Sequence, residues 1–68
     1  MVERLDNRLK ERRAEVGLTQ AELAEACGVT RKTVNTVENG IFVPSALLAL
    51  KLARALNIGV EQLFWIEP

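Results

Sequence analysis

Gly17-Leu18-Thr19-Gln20-Ala21-Glu22-Leu23-Ala24-Glu25-Ala26-Cys27-Gly28-Val29-Thr30-Arg31-Lys32-Thr33-Val34-Asn35-Thr36-Val37-Glu38-Asn39-Gly40 is the stretch that decides the fold. Thr19-Gln20-Ala21-Glu22 has the form of a capping box. The Thr19 hydroxyl accepts from the Glu22 N–H while the Glu22 carboxylate accepts from the Thr19 N–H, so two donors that a helix start leaves free are satisfied together. A helix is predicted from Gln20 to Cys27, with Leu23, Ala24 and Cys27 inward. Gly28 stops it, because a residue without Cβ enters the left-handed region at no steric cost. Thr30 then caps a further helix from Arg31 to about Asn39, which turns Val34 and Val37 to the core and ends at Gly40.

Working outward, a preceding helix ends at Gly17. Leu9 and Val16, with Leu5 before them, repeat near a helical period, and Asp6 or Asn7 is placed to cap its start. On the other side, Ser45 follows Pro44 and caps a helix from Ala46 to Leu56. Leu47, Leu48, Leu50, Leu52, Ala53 and Leu56 make this the most apolar segment, with Lys51 and Arg54 on its wet side and Asn57 as a left-handed terminator. A short helix follows at about Val60 to Leu63, and Phe64-Trp65-Ile66 closes the chain as a brief strand-like run. The expectation is an all-α fold of five helices, one domain over residues 1–68, with a short C-terminal strand.

Composition narrows the function. A chain of 68 residues has room for one small core, and it holds one cysteine, Cys27, and no histidine. An internal disulfide is impossible and a Cys/His zinc site has no ligand set, so no metal or cofactor is expected. Stability must come from helix packing, self-association or both. Cys27 reads as a small buried hydrophobe. The longest uncharged run, Asn39 to Leu50, contains Gly40, Pro44 and Ser45 and is too short to span a bilayer. No signal peptide is recognisable, and the expected location is the cytoplasm. An enzyme is disfavoured, since no nucleophile–base pairing and no phosphate loop after a strand is present; Glu22 and Glu25 read as solvated helix carboxylates. Nine basic and nine acidic residues cancel, which argues mildly against nucleic acid. Any basic surface must therefore come from local arrangement, with the acids turned away.

Two short helices joined across Ala26-Cys27-Gly28-Val29-Thr30, with small Ala24 allowing a close crossing, form the helix-turn-helix layout, whose second helix enters the DNA major groove. The ordered set Gly17-Leu18-Thr19-Gln20-Ala21-Glu22-Leu23-Ala24, Gly28-Val29-Thr30-Arg31-Lys32-Thr33-Val34 and Glu38-Asn39-Gly40 resembles the phage-repressor/Cro-type helix-turn-helix regulators. The resemblance continues through Pro44-Ser45 and Leu52-Ala53-Arg54-Ala55-Leu56 to Leu63-Phe64. The helix-four run and the aromatic C-terminus are similar to the small cytolysin-repressor type. This resemblance implies a lambda-repressor-like domain, with a helix-turn-helix over 19–39, that binds double-stranded DNA as a transcriptional regulator.

By the same resemblance, Arg31, Lys32, Thr33, Asn35 and Thr36 read base edges. The chemistry agrees, since arginine and lysine donate to guanine and asparagine pairs bidentately with adenine. Gln20, Thr30 and Asn39 are implied phosphate contacts, with helix capping and helix termination as the plain alternatives for Thr30 and Asn39. Arg13 and Glu38 are implied to pair as structure. Arg8, Lys10 and Arg12 are expected to be solvated. Gly40 to Pro44 departs from the pattern: many relatives carry a basic residue there, and this chain has Ile41-Phe42-Val43. Core packing, dimer contact and a further partner all remain open for that loop. Leu63, Phe64, Trp65 and Ile66, within a segment 63–67, are expected to hold a homodimer on an inverted-repeat operator. The strand's backbone groups would be satisfied by the twin strand or by Met1–Leu5. A protein-interaction module of the same fold, such as an antitoxin, is the competing function.

Overall fold

A computed structural model describes residues 2–68. The elements run β1 (Arg4–Asn7), α1 (Leu9–Val16), α2 (Gln20–Cys27), α3 (Arg31–Glu38), α4 (Ala46–Ala55), α5 (Val60–Leu63) and β2 (Phe64–Glu67). The predicted helices are all present. The added feature is β1, which pairs antiparallel with β2 in the register Arg4↔Glu67, Leu5↔Ile66, Asp6↔Trp65 and Asn7↔Phe64. The C-terminal strand thus finds a partner in its own chain, on Arg4–Asn7 rather than on Met1–Leu5, of which Met1 lies outside the described residues. The Arg8 N–H donates to the Leu63 carbonyl at 3.0 Å and joins the start of α1 to the end of α5.

Most helix boundaries have a local cause. The Thr19 capping box forms in both directions, with Glu22 N–H to the Thr19 hydroxyl at 3.0 Å and Thr19 N–H to the Glu22 carboxylate at 2.9 Å. Thr30 and Ser45 accept from the N–H groups of Thr33 and Leu48. Gly17 and Gly28 end α1 and α2 at φ of +83° and +69°, where a Cβ would be strained. Asn57 takes the same left-handed conformation after α4. The start of α1 differs in detail from expectation. Arg8 occupies the cap position without a side-chain bond, and Asn7, one residue earlier, accepts from the Leu9 N–H through its Oδ1 at 2.9 Å.

The core consists of Leu9, Leu23, Ala24, Cys27, Val34, Val37, Leu52, Ala53, Leu56, Leu63 and Phe64. It gathers one face from each helix under the β2 start. Val16, which shares the helical period of Leu9, is exposed, because α1 ends there and Gly17 turns the chain away, leaving Leu9 as its one buried residue. Leu63 and Phe64 are buried in their own chain, at 0% and 7% exposure. The helix contributing Leu63 is a single turn and is held by that burial. Cys27 is buried, and loss of solvation pushes its thiol above the ordinary range against the opposing pull of Lys51 and Arg54. Among the described residues, no helix is long and apolar enough to cross a membrane.

Candidate nucleic-acid interface

The geometry of α3 follows from its two valines. Burial of Val34 and Val37 fixes the rotation of the helix. Arg31, Lys32 and Asn35 are then exposed, and Thr33 and Thr36 half-buried. A shallow depression brings together Gln20 from α2 and Arg31, Lys32 and Asn35 from α3. Three residues implied in base reading therefore stand beside the first residue of the neighbouring helix, and cations and amides, not carboxylates, line the depression. An anion would meet donors on both sides.

Four carboxylates, Glu11, Glu15, Glu22 and Glu38, have specific partners elsewhere than Arg31 and Lys32. Glu38 has a side chain only 2% exposed and is held by Arg13, whose Nε donates to Oε2 at 2.7 Å and whose Nη2 donates to Oε1 at 3.4 Å. Arg13 also donates to the Leu18 carbonyl at 2.9 Å, at the turn before α2. Gln20 Nε2 donates to Glu38 Oε1 at 3.0 Å. One buried carboxylate thus ties together α1, the start of α2 and the end of α3. Arg8, at the cap of α1, pairs with Glu11 and Glu15, and Arg12 with Glu15. Glu22 is engaged in its capping box, and the Thr19 backbone and hydroxyl hold its carboxyl below the usual range. Among the described residues, neither Arg31 nor Lys32 has a carboxylate partner.

Several side chains make local bonds, some of them beyond what the sequence declares. The Thr30 hydroxyl caps α3 and also lies 3.0 Å from the Thr33 hydroxyl. The Thr36 hydroxyl donates to the Thr33 carbonyl at 3.0 Å. Asn39 Nδ2 donates to the Asn35 carbonyl at 2.8 Å, which closes the end of α3. Asn7 Nδ2 donates to the Val37 carbonyl at 3.1 Å and pins β1 to α3. Arg12 is the clearest departure. Expected in solvent, it donates from Nε to the Leu56 carbonyl and from Nη2 to the Asn57 carbonyl, at 3.1 and 3.4 Å. A cation at the carbonyl end of α4 satisfies both the orphan acceptors and the helix dipole. Its 44-residue separation from Leu56 left no local sequence signal.

Residues 9–63, which include all five helices, match the profile of the helix-turn-helix family. The chain belongs to the helix-turn-helix family. It is 48% identical over 63 residues to the uncharacterized HTH-type transcriptional regulator YgzD of Bacillus subtilis, covering 93% of this chain and 96% of that protein. A second HTH-type transcriptional regulator, from Methanothermobacter thermautotrophicus, is 54% identical over 60 residues, covering 87% of each. Among solved structures, the restriction-modification controller protein C.AhdI from Aeromonas hydrophila superposes with a TM-score of 0.77 at 42% identity, covering 81% of this chain and 83% of that one. The chain is a DNA-binding regulator of the phage-repressor/Cro type, and its fold is that of the lambda-repressor-like domains.

Proposed function

We propose that this helix-turn-helix protein reads a specific DNA sequence through Arg31, Lys32, Thr33, Asn35 and Thr36 on α3, with Gln20, Thr30 and Asn39 near the backbone phosphates, and that it acts as a repressor on an inverted repeat as a homodimer. The observation that carries the reading is the polar depression lined by Gln20, Arg31, Lys32 and Asn35, with no carboxylate in its lining. Arginine and lysine match the guanine edge and asparagine the adenine edge. The Gln20 amide is steadied by Glu38, and its second N–H remains for a phosphate oxygen. Thr33 and Thr36 contribute less through their hydroxyls, which already have partners, and more through their methyl groups.

One α3 reads too few bases for useful specificity, whereas a dimer places two such helices roughly 34 Å apart on successive major grooves. The C-terminal strand supports the dimer through Ile66 and Trp65, exposed at 66% and 37%, while Leu63 and Phe64 hold the strand from beneath. Occupation of an operator obstructs transcription without further machinery, which favours repression. The test is selection of duplexes from a randomised pool by the intact protein, together with sedimentation. The expected result is an enriched inverted repeat with half-sites about one helical turn apart and a dimer at micromolar concentration. An unenriched pool overturns DNA reading; an asymmetric single site bound by a monomer overturns the dimer.

A further inference from the structure

The reading face has a second side. Beyond the polar depression, Lys32, Thr33 and Thr36 line another, predominantly apolar one, and its far wall is Ile41 and Phe42. The loop is folded back onto α3, since the N–H groups of Ile41 and Phe42 both donate to the Thr36 carbonyl, at 2.9 and 3.2 Å. These two side chains are nevertheless 76% and 48% exposed. The threonine hydroxyls are engaged, that of Thr33 with Thr30 and that of Thr36 with the Thr33 carbonyl. The methyl groups are the parts of these threonines that no internal bond engages. Val43 does not join this wall and lines a separate groove with Leu5 and Ile66.

We propose that Ile41 and Phe42 form an apolar wall of the DNA-reading face that, with Thr33 and Thr36, receives the C5-methyl group of a thymine in each half-site. The inference rests on the reading of DNA by α3 and deepens it by naming one base and the group recognised. The argument for DNA as occupant is continuity. Lys32 belongs to both depressions, so whatever fills the apolar one lies against the same cation that faces the polar one. A duplex major groove offers that combination, because it carries acceptor atoms on guanine and a methyl group on thymine along one surface. A basic residue in the loop would add a phosphate contact common to all sequences. An aromatic and an aliphatic residue instead discriminate thymine from cytosine by apolar contact.

The test uses the duplex that the intact protein selects, with each half-site thymine replaced singly by deoxyuridine, which pairs identically and lacks the methyl group. At one position in each half-site the replacement should weaken binding by the intact protein roughly fourfold, the worth of one buried methyl group. Phe42→Ala should bind the thymine duplex more weakly and lose that sensitivity, while Phe42→Leu keeps it. Thermal melts check that the variants fold, and Ile41→Ala supplies a second comparison should Phe42→Ala unfold. Uracil penalties unchanged in Phe42→Ala, or in Ile41→Ala, overturn the proposal. So does a loss of self-association in either variant with DNA recognition unaltered, which would assign the patch to a protein. Failure of the intact protein to select any duplex is a different result, visible before any uracil is introduced, and it removes the underlying reading as well.

Discussion

At the scale of single residues, the buried carboxylate of Glu38 organises the surface proposed to meet DNA. It is held by Arg13 and in turn holds Gln20. Removing either partner of so desolvated a pair leaves a charge without compensation. Arg13→Ala and Glu38→Ala are each expected to cost about 2–3 kcal/mol of stability. Their double variant should cost less than the sum, as measured by denaturant unfolding; strict additivity would deny the pairing an energetic role. Arg12→Ala should cost about 1 kcal/mol, because two helix-end carbonyls lose a charged donor. An unchanged unfolding midpoint would show that water replaces it freely. The contrast between the two arginines shows how far residues alone can be read. The Arg13–Glu38 pair came with the resemblance, whereas Arg12, on the same helix, meets backbone carbonyls, which leave no trace in side-chain identity.

At the scale of elements, boundaries were the most legible feature. The Thr19, Thr30 and Ser45 caps, the glycines at 17 and 28 and Asn57 lie where short-range chemistry places them. Gly28→Ala is therefore expected to destabilise by roughly 1 kcal/mol through backbone strain, since nothing lies within 4 Å of the added Cβ. Full stability of that variant would mean the turn between α2 and α3 tolerates another conformation. The capping box also predicts a pH dependence. The folded state lowers the Glu22 pKa through its bonds to Thr19, so the stabilisation is present above the ordinary carboxylate range and is lost as pH falls through the folded value. Glu22→Gln should narrow the gap in stability between neutral and acid pH, measured by thermal unfolding across that range. β1 was legible only in part, since the alternative partner Met1–Leu5 overlaps it at Arg4 and Leu5. Arg4–Asn7 alternates poorly, and it becomes a strand only because β2 lies beside it, a tertiary cause that outweighs local propensity. The exposure of Val16 has a related reason: a helical period says which residues share a face, not where the helix ends relative to the core.

At the scale of the whole molecule, a small core and a set of exposed apolar side chains stand together. Leu63 and Phe64 complete the core, so ending the chain at Gln62 would remove part of the fold as well as any interface. Point changes on the strand surface separate the two. Ile66→Lys is expected to shift the protein toward monomer in sedimentation while its circular dichroism stays helical; a dimer of undiminished stability would move the interface elsewhere, with the exposed Leu47 and Leu50 of α4 next in line. The neutral net charge, which argued mildly against nucleic acid, is explained by distribution: carboxylates on α1 and at Glu22 and Glu38 are paired or engaged in caps, while Arg31 and Lys32 stand beside Gln20 and Asn35. The central claim is that this part of α3 reads bases. Its most direct test is repeated duplex selection with Arg31→Ala beside Gln20→Ala. Arg31→Ala should enrich a different sequence and lose roughly 1–3 kcal/mol of discrimination at one position of the half-site, whereas Gln20→Ala should weaken all duplexes alike and enrich the same sequence. An Arg31→Ala protein that selects the original sequence with unchanged affinity would contradict the account.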